Sequence, residues 1–296
     1  MSPRIVTEPA PSVIRSVWRC RDRELPIGAT PLVMGVVNVT PDSFSDGGRF
    51  LEPAAALDHA RTLLDEGADL VDLGAESTRP GAPPVPADEQ WRRLAPVIEG
   101  LARERRAVLS VDTASPQVAE RALAAGAHVV NDVTALADPA MARVVAASGA
   151  GVVLMHMRGT PVTMQEDPRY DDVVAEVAAF LAERRDQALV AGVARESIVL
   201  DPGIGFGKTV EHNLALLAGL GPIVALGQPV LVGVSRKGFL GALTGGLPPE
   251  ERLEAGLAAA ALAVVNGAAI IRTHDVRSTV RSVRVAAAIR DARSRA

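Results

Sequence analysis

The stretch MGVVNVTPDSFSDGG, from Met34 to Gly48, joins an apolar strand to a polar loop that closes on two glycines. One amide side chain, Asn38, stands at the end of the apolar run, where burial without a hydrogen-bond partner costs free energy. Polar groups at a strand end, followed by such a loop, are how a parallel α/β protein builds a ligand site. Later segments of the chain repeat this design, which makes an ordinary core asparagine the weaker interpretation.

Eight apolar runs rich in β-branched residues alternate with amphipathic helical patterns. They begin at Leu32, Leu70, Val108, Val129, Gly151, Ile198, Val230 and Ala269. Near-continuous apolar strands are typical of a parallel sheet that helices cover on both faces. Eight such units predict an α/β fold of the (β/α)8 TIM-barrel type, with a doubly wound open sheet as the alternative.

The first 30 residues do not fit this repeat. The segment VWRCRDRELPIG indicates two short strands with a turn near Asp22. We therefore expect an N-terminal extension with a β-hairpin over residues 1–30, capping the bottom of a barrel that spans residues 31–292.

Composition narrows the class of protein. The chain of 296 residues is 48% hydrophobic, has a formal net charge of −4 and a pI of about 5.8, so a general nucleic-acid partner is not expected. The single Cys20 excludes an internal disulfide framework and suits a reducing compartment. No apolar run approaches the ~18 residues of a membrane span. These features predict a cytoplasmic protein without a membrane partner.

The strand ends carry the polar side chains that a ligand site needs. In chain order they present Asn38; Glu76 to Gly81; Asp112 and Thr113; Asn131 and Asp132; His156; Asp201; Ser235 to Lys237; and Arg272 to Asp275. In a barrel these ends meet at one mouth, which is where the active site forms.

Three of these side chains suit a flat heterocycle. Asp112, Asn131 and Asp201 would line a dry pocket and pair with the N–H donors of a guanidine-like ring edge, such as a 2-amino-4-oxo pyrimidine. Lys237 supplies the opposite polarity to a ring carbonyl or nitrogen. Only Lys237 and Lys208 are lysines among the 31 basic residues, which indicates that a compact ammonium is needed at these places.

A second group suits a phosphate or diphosphate. Arg272 and His274 lie at i and i+2 on one strand, so both point to the same side. Arginine with histidine beside Asn38 matches a diphosphate, and the Asn38 oxygen could then ligate Mg²⁺, which usually takes few protein ligands plus phosphate oxygens.

Other motifs are weaker. The segment DPGIGFGKT fails the Walker A pattern, because its first required glycine falls on Pro202. No zinc-type spacing of histidines and cysteines occurs. His156 fits the site wall and plain packing equally well.

Taken together, the motifs closely resemble those of the dihydropteroate synthase family. They are NVTPDSFSDGG, GAESTRPG, SVDT, NDV, MHMRGTP, DPGIGFGK, SRKGF and RTHDV, which occur in family order over roughly residues 30 to 290. The resemblance implies condensation of 6-hydroxymethyl-7,8-dihydropterin diphosphate with p-aminobenzoate, giving 7,8-dihydropteroate and diphosphate. It also implies inhibition by sulfonamides and favours a homodimer.

The resemblance assigns roles by motif. It implies that the pterin binds Asp112, Asn131, Met155, Asp201, Lys237 and Arg272. It implies that the diphosphate binds Asn38, Arg272 and His274, with Mg²⁺ on Asn38. It implies that p-aminobenzoate is framed by Thr78, Arg79, Pro80, Gly205, Phe206 and Ser235. Asp112, Lys237, Arg272 and His274 would then be catalytic, in an SN1-like path with diphosphate as leaving group.

Two other functions stay open at this stage. A pterin-dependent methyltransferase that serves a corrinoid would share the pterin residues, but would have no reason to keep the Arg272/His274 pair. A non-catalytic relative would have lost motif residues, and no motif position departs from the family pattern.

Overall fold

The computed structural model of the protein describes residues 16–40, 52–76, 84–160 and 162–293. Its strands are β1 Ser16–Cys20, β2 Arg23–Ile27, β3 Leu32–Asn38, β4 Leu70–Gly74, β5 Val108–Asp112, β6 Val129–Asp132, β7 Gly151–Met155, β8 Ile198–Asp201, β9 Leu231–Gly233 and β10 Ile270–Thr273. Its α-helices are α1 Glu52–Asp65, α2 Ala87–Glu104, α3 Pro116–Ala124, α4 Pro139–Ser148, α5 Val173–Val190, α6 Val210–Ala218, α7 Gly221–Val224, α8 Gly238–Leu243, α9 Leu253–Val265 and α10 Val276–Arg293. Short 3₁₀ turns occupy Arg195–Ser197 and Pro249–Glu251.

Strands β3 to β10 form one parallel sheet that closes on itself. Their order is β8-β7-β6-β5-β4-β3-β10-β9, so the first strand of the repeat, β3, pairs with both the second and the last. The remaining gap is closed by a parallel bridge between Leu200 and Val230, with Leu200 N donating to Pro229 O at 2.9 Å. This cyclic order confirms the predicted (β/α)8 barrel. It excludes the alternative of a doubly wound sheet, in which the strand order reverses at one point.

The N-terminal hairpin lies under the barrel, as predicted. Strands β1 and β2 pair antiparallel around a turn at Arg21 and Asp22. Trp18 is fully buried among the strand starts, and its indole Nε1 donates to Ser197 O at 3.0 Å. Gly151 is required there, because a Cβ at this position would lie 2.7 Å from the Cys20 sulfur. The division of the chain at residue 30 stays a prediction.

The helices begin and end where local chemistry dictates. Ser115 Oγ accepts from Val118 N at the start of α3, and Asp138 accepts from Ala140 N at the start of α4. Helix α3 is followed by Gly126 at a φ of +113°, a conformation that favours glycine. No helix in the described ranges is both long enough and apolar enough to cross a membrane.

The period-2 alternation of the strands stacks side chains inside the barrel in layers. The lowest layer is apolar and packs on the hairpin: Leu32, Leu70, Val108, Val129, Val153, Val199, Leu231 and Ile270. The residues two positions further along several of these strands are polar. This second layer and the strand ends above it form the floor of the mouth.

Candidate active site

A charged network occupies the centre of the mouth. The Arg272 guanidinium lies between two carboxylates, with Nε 2.7 Å from Asp72 Oδ2 and Nη2 2.8 Å from Asp112 Oδ2. The Asn131 amide Nδ2 also donates to Asp72 Oδ2, at 2.9 Å. Asp72 thus joins the predicted site residues Asn131 and Arg272, and Arg272 in turn holds the predicted residue Asp112.

Asp72 was missed by the sequence reasoning. It is fully buried, and its Oδ1 accepts from Ser110 Oγ at 2.6 Å. The available signal was an ionisable residue within the apolar run Leu70–Leu73, since burial of a charge requires partners. Asp72 points inward from the middle of β4, whereas the residues predicted for the site lie at or beyond the strand ends.

Burial dominates the electrostatics of the mouth. It raises the pKa of Asp112 to about 7, against the lowering effect of Arg272. Burial also raises the pKa of Asp201 above its ordinary value, although Gly203 N donates to the carboxylate at 2.7 Å. It lowers the pKa of Lys237 to about 8, with Arg272 acting in the same direction. Asp112 and Lys237 therefore change charge near neutral pH, which is common at functional sites.

One side of the mouth is apolar. Met155, Phe206, Val133 and Met164 form a buried cluster there. The Lys237 ammonium lies 4.0 Å from the centre of the Phe206 ring, and a Cβ on Gly205 would lie 3.0 Å from Lys237 Cδ. Lys237 thus stands between the carboxylates and an apolar surface, where an aromatic ligand would contact both.

His274 and Ser235 meet at the neighbouring strand ends. His274 Nδ1 lies 3.1 Å from Ser235 Oγ, and the backbone N of His274 donates to the same oxygen at 3.2 Å. Burial, together with Arg272 and Arg236, lowers the pKa of His274 to about 3. The imidazole is therefore neutral at pH 7 and would reach an anion as a hydrogen-bond donor rather than as a cation.

Asn38 lies at the end of β3, with its backbone paired to Gly74, which in turn pairs with Asp112. Its position puts its amide at the same mouth, half-buried. Thr78, Arg79 and Pro80, and the loop residues from Asp42 to Gly48, lie outside the described residues. Their assignments to substrates stay predictions.

Lys208, the second lysine, supports the loop that follows β8. Its buried Nζ donates to Gly203 O and Phe206 O, each at 2.9 Å, and lies 3.0 Å from His156 Nδ1. His156 packs edge-on against Phe180, with ring centres 4.8 Å apart. His156 is thus a packed residue whose Nδ1 shares a hydrogen bond with the Lys208 amine.

Other polar strand-end residues stabilise loops. Glu76 accepts from Val85 N at 3.0 Å and from Gln90 Nε2 at 3.1 Å. Asp132 points away from the barrel interior and accepts from Thr134 N and Leu136 N, both at 2.8 Å. These carboxylates fix the loops around the mouth.

The arrangement defines a barrel protein whose mouth holds buried carboxylates and an amide beside a cation and an apolar wall. A family model described as "Pterin binding enzyme" matches residues 34–274. The chain therefore belongs to the pterin-binding enzyme family.

Within that family it belongs with the dihydropteroate synthases, which are transferases. It is 46% identical over 255 residues to dihydropteroate synthase of Escherichia coli K12, covering 86% of this chain and 90% of that protein. The Xanthomonas albilineans enzyme, solved with 4-aminobenzoic acid, is 48% identical with a TM-score of 0.87 and covers 93% of this chain and 98% of its own. The Yersinia pestis enzyme, solved with a sulfonamide drug, is 42% identical with a TM-score of 0.87 and covers 93% and 99%.

Proposed function

We propose that this chain joins 6-hydroxymethyl-7,8-dihydropterin diphosphate to p-aminobenzoate, giving 7,8-dihydropteroate and diphosphate. The observation that supports this most directly is the convergence of Asp112, Asn131, Asp201 and Lys237 around Arg272 at one mouth. Both the donor edge of a pterin and an anionic leaving group find complementary partners there.

The pterin would lie on the polar floor. Its ring N–H groups and amino group would donate to the Asp201 and Asp112 carboxylates and to the Asn131 oxygen, while Lys237 would donate to a ring acceptor. Met155 would cover the ring from the apolar side. The low exposure of Asn131 and Asp201, 4% and 6%, strengthens such hydrogen bonds, because little water competes for them.

The diphosphate would lie between the last strand and the first. Arg272 offers a guanidinium, and neutral His274 offers an N–H donor. Asn38 suits Mg²⁺, because its amide oxygen is a hard ligand and Mg²⁺ commonly combines one or two protein groups with phosphate oxygens. No cluster of three His, Cys, Asp or Glu side chains able to hold a metal occurs in the described ranges, so diphosphate oxygens and waters would supply the other ligands. When bound, Mg²⁺ would neutralise charge on the leaving group.

The p-aminobenzoate ring would take the apolar side of the mouth. Phe206 and Gly205 lie beside Lys237 there, and Ser235 lies next to His274. This placement would bring the aryl amine next to the pterin methylene.

The reaction we propose is an SN1-like substitution. The bond between the pterin methylene carbon and the diphosphate oxygen breaks, and its electron pair leaves with the diphosphate, which Arg272 and His274 stabilise. The Asp112 carboxylate would lie close to the resulting cation and favour it. The aryl amine then forms the C–N bond with its lone pair and releases a proton to water. The amine is already neutral at pH 7, so positioning matters more than a general base.

The substitution path is tested with p-aminobenzoate analogues of graded nucleophilicity. We expect a maximal rate that is nearly independent of the amine. A steep dependence would show that the amine takes part in the rate-limiting step and would exclude the SN1-like path.

The function is tested by diphosphate release from the purified chain with both substrates and Mg²⁺. We expect turnover that collapses in Asp201→Ala and Lys237→Ala. Glu120→Ala and Arg143→Ala, which change exposed charges on α3 and α4, are the matched controls and should keep it. Pterin binding without turnover by the unmodified chain would identify a non-catalytic relative, and methyl transfer to a corrinoid would identify the methyltransferase.

We also propose a homodimer. Helices α9 and α10 follow adjacent parallel strands and so run in the same direction, joined by Ser282 Oγ donating to Leu257 O at 3.4 Å. One to two turns further along, they expose Leu262, Val285 and Ile289 by 61%, 61% and 48%. Apolar side chains gathered on neighbouring helices are a surface that a second copy could cover.

A further inference from the structure

Asp72 holds three donors in a fully buried place below the proposed pterin site. Its Oδ1 accepts from Ser110 Oγ, and its Oδ2 accepts from both Asn131 Nδ2 and Arg272 Nε. The proposed substrates touch Asn131 and Arg272 and have no need to reach Asp72. Its effect on the reaction must therefore pass through those two neighbours.

The first effect is on the Asn131 amide. An amide group has a donor end and an acceptor end, and an asparagine side chain turns either end toward a ligand at little cost. A carboxylate accepts hydrogen bonds and cannot donate them. The Asn131 nitrogen must therefore face Asp72, and the carbonyl oxygen is the end that remains for the ligand.

The second effect is on Arg272. The same oxygen of Asp72 that receives the Asn131 amide also receives Arg272 Nε. Asp112 binds the other end of the guanidinium, but Asp112 is itself proposed to receive the pterin. Asp72 therefore keeps its hydrogen bond to Arg272 when Asp112 binds a ligand.

We propose that Asp72 is a specificity-determining positioning residue. It fixes the Asn131 amide so that an oxygen acceptor meets the amino group of the heterocycle, and the site thereby selects a 2-amino pterin over its 2-oxo counterpart. This inference rests on the proposed function, since it takes the pterin ring as the occupant of the mouth. A site built to accept from an N–H group discriminates strongly against an analogue that offers an acceptor in its place.

The test compares the dissociation constants of 6-hydroxymethylpterin and 6-hydroxymethyllumazine, which carry an amino and an oxo group at position 2. They are measured calorimetrically for the unmodified chain and for Asp72→Asn. An asparagine at position 72 donates as well as accepts, so the Asn131 amide loses its fixed orientation. We expect the preference for the 2-amino ligand to fall about tenfold or more.

Two further variants separate positioning from general damage. Ser110→Ala removes a partner of Asp72 that bonds neither Asn131 nor Arg272, and should keep the unmodified preference even if the protein is less stable. The exchange variant Asp72→Asn/Asn131→Asp conserves charge and puts a carboxylate, which accepts in any orientation, next to the ligand. We expect this exchange to restore the preference for the amino group.

An equal loss of both ligands in Asp72→Asn would overturn the inference, because a merely structural residue acts on both alike. If Asp72→Asn does not fold, the exchange variant decides: the amino preference supports the inference, and its loss overturns it. An unmodified chain that binds neither ligand would instead refute the pterin site of the proposed function. An unmodified preference that persists in Asp72→Asn refutes this inference alone.

Discussion

Replacing Lys208 with methionine should make the stability of the protein respond differently to pH. Lys208 is 3% exposed, and the hydrogen-bond partners of its Nζ are neutral: the carbonyl oxygens of Gly203 and Phe206 and the ring nitrogen Nδ1 of His156. Burial lowers its pKa from the ordinary 10.5 to about 7. Protonation of the Lys208 amine is therefore much more favourable in the unfolded chain than in the folded protein.

The sign and size follow from proton binding. Between about pH 7 and pH 10.5 the unfolded chain holds the proton and the folded protein does not, so the free energy of unfolding rises with pH. With those two pKa values, the penalty on the folded state is about 4 kcal/mol at pH 7 and about 2 kcal/mol at pH 9. The lysine protein should thus gain about 2 kcal/mol over this interval relative to Lys208→Met.

The assay is urea unfolding of both proteins at about pH 7, 8 and 9, followed by circular dichroism. The difference between the two proteins cancels every other titrating group. A difference that stays constant across the three pH values would refute the reasoning, since it would mean that Lys208 keeps its proton in the folded protein.

Four more outcomes test the site and the surface. Gly203→Ala should cost about 2–5 kcal/mol of stability, because its φ is +67° and the added Cβ would lie 1.8 Å from His156 O. Gly149→Ala is the control: its φ is +65°, but nothing lies near the added Cβ. In the same urea assay it should show only the backbone cost of about 1 kcal/mol. Arg272→Lys should lower kcat/KM roughly a hundredfold, since an ammonium cannot bridge the two carboxylates as the guanidinium does, and an unchanged kcat/KM would contradict its role. Leu262→Arg should shift the mass measured by light scattering from dimer to monomer, whereas a monomer in the unmodified chain would contradict the homodimer. Sulfonamides carry the aryl amine of p-aminobenzoate and should inhibit in competition with it; an insensitive enzyme would contradict the proposed pocket.

The barrel and much of its mouth could be predicted because both follow from periodicity. Apolar runs of strand length, joined by helical patterns, predict a closed parallel sheet. Within each strand, residues at i and i+2 share a face. Asp112 and Asn131 lie at the C-terminal ends of adjacent strands, on the last and the next-to-last residue, and are register partners in the structure. Their proximity needed no information beyond the order of the strands.

Two features could not be predicted, because they depend on side-chain contacts between distant segments. Lys208 and Lys237 look alike in sequence, each after an apolar strand, yet one bonds backbone carbonyls and the other faces the Phe206 ring. The partners of Asp72 come from three other strands, up to 200 residues away in the chain. Spacing fixes which face a residue points to, but the atoms it meets there are set by the closed barrel.

The free energy needed to bury the network of Asp72, Asn131 and Arg272 is itself an argument for function. Replacing a buried ion pair by packed apolar side chains is often neutral or stabilising, and the layer directly below, with Val129 and Ile270, has that apolar composition. A barrel needed only for stability could continue the same packing upward through positions 72, 131 and 272. Instead these positions hold a carboxylate, an amide and a guanidinium. The charges of the carboxylate and the guanidinium compensate each other, and the remaining hydrogen-bond donors and acceptors face the mouth. Local departures of this kind from the rules of core packing are expected where a ligand supplies the missing partners, which supports the site proposed for this protein at the second layer of its barrel.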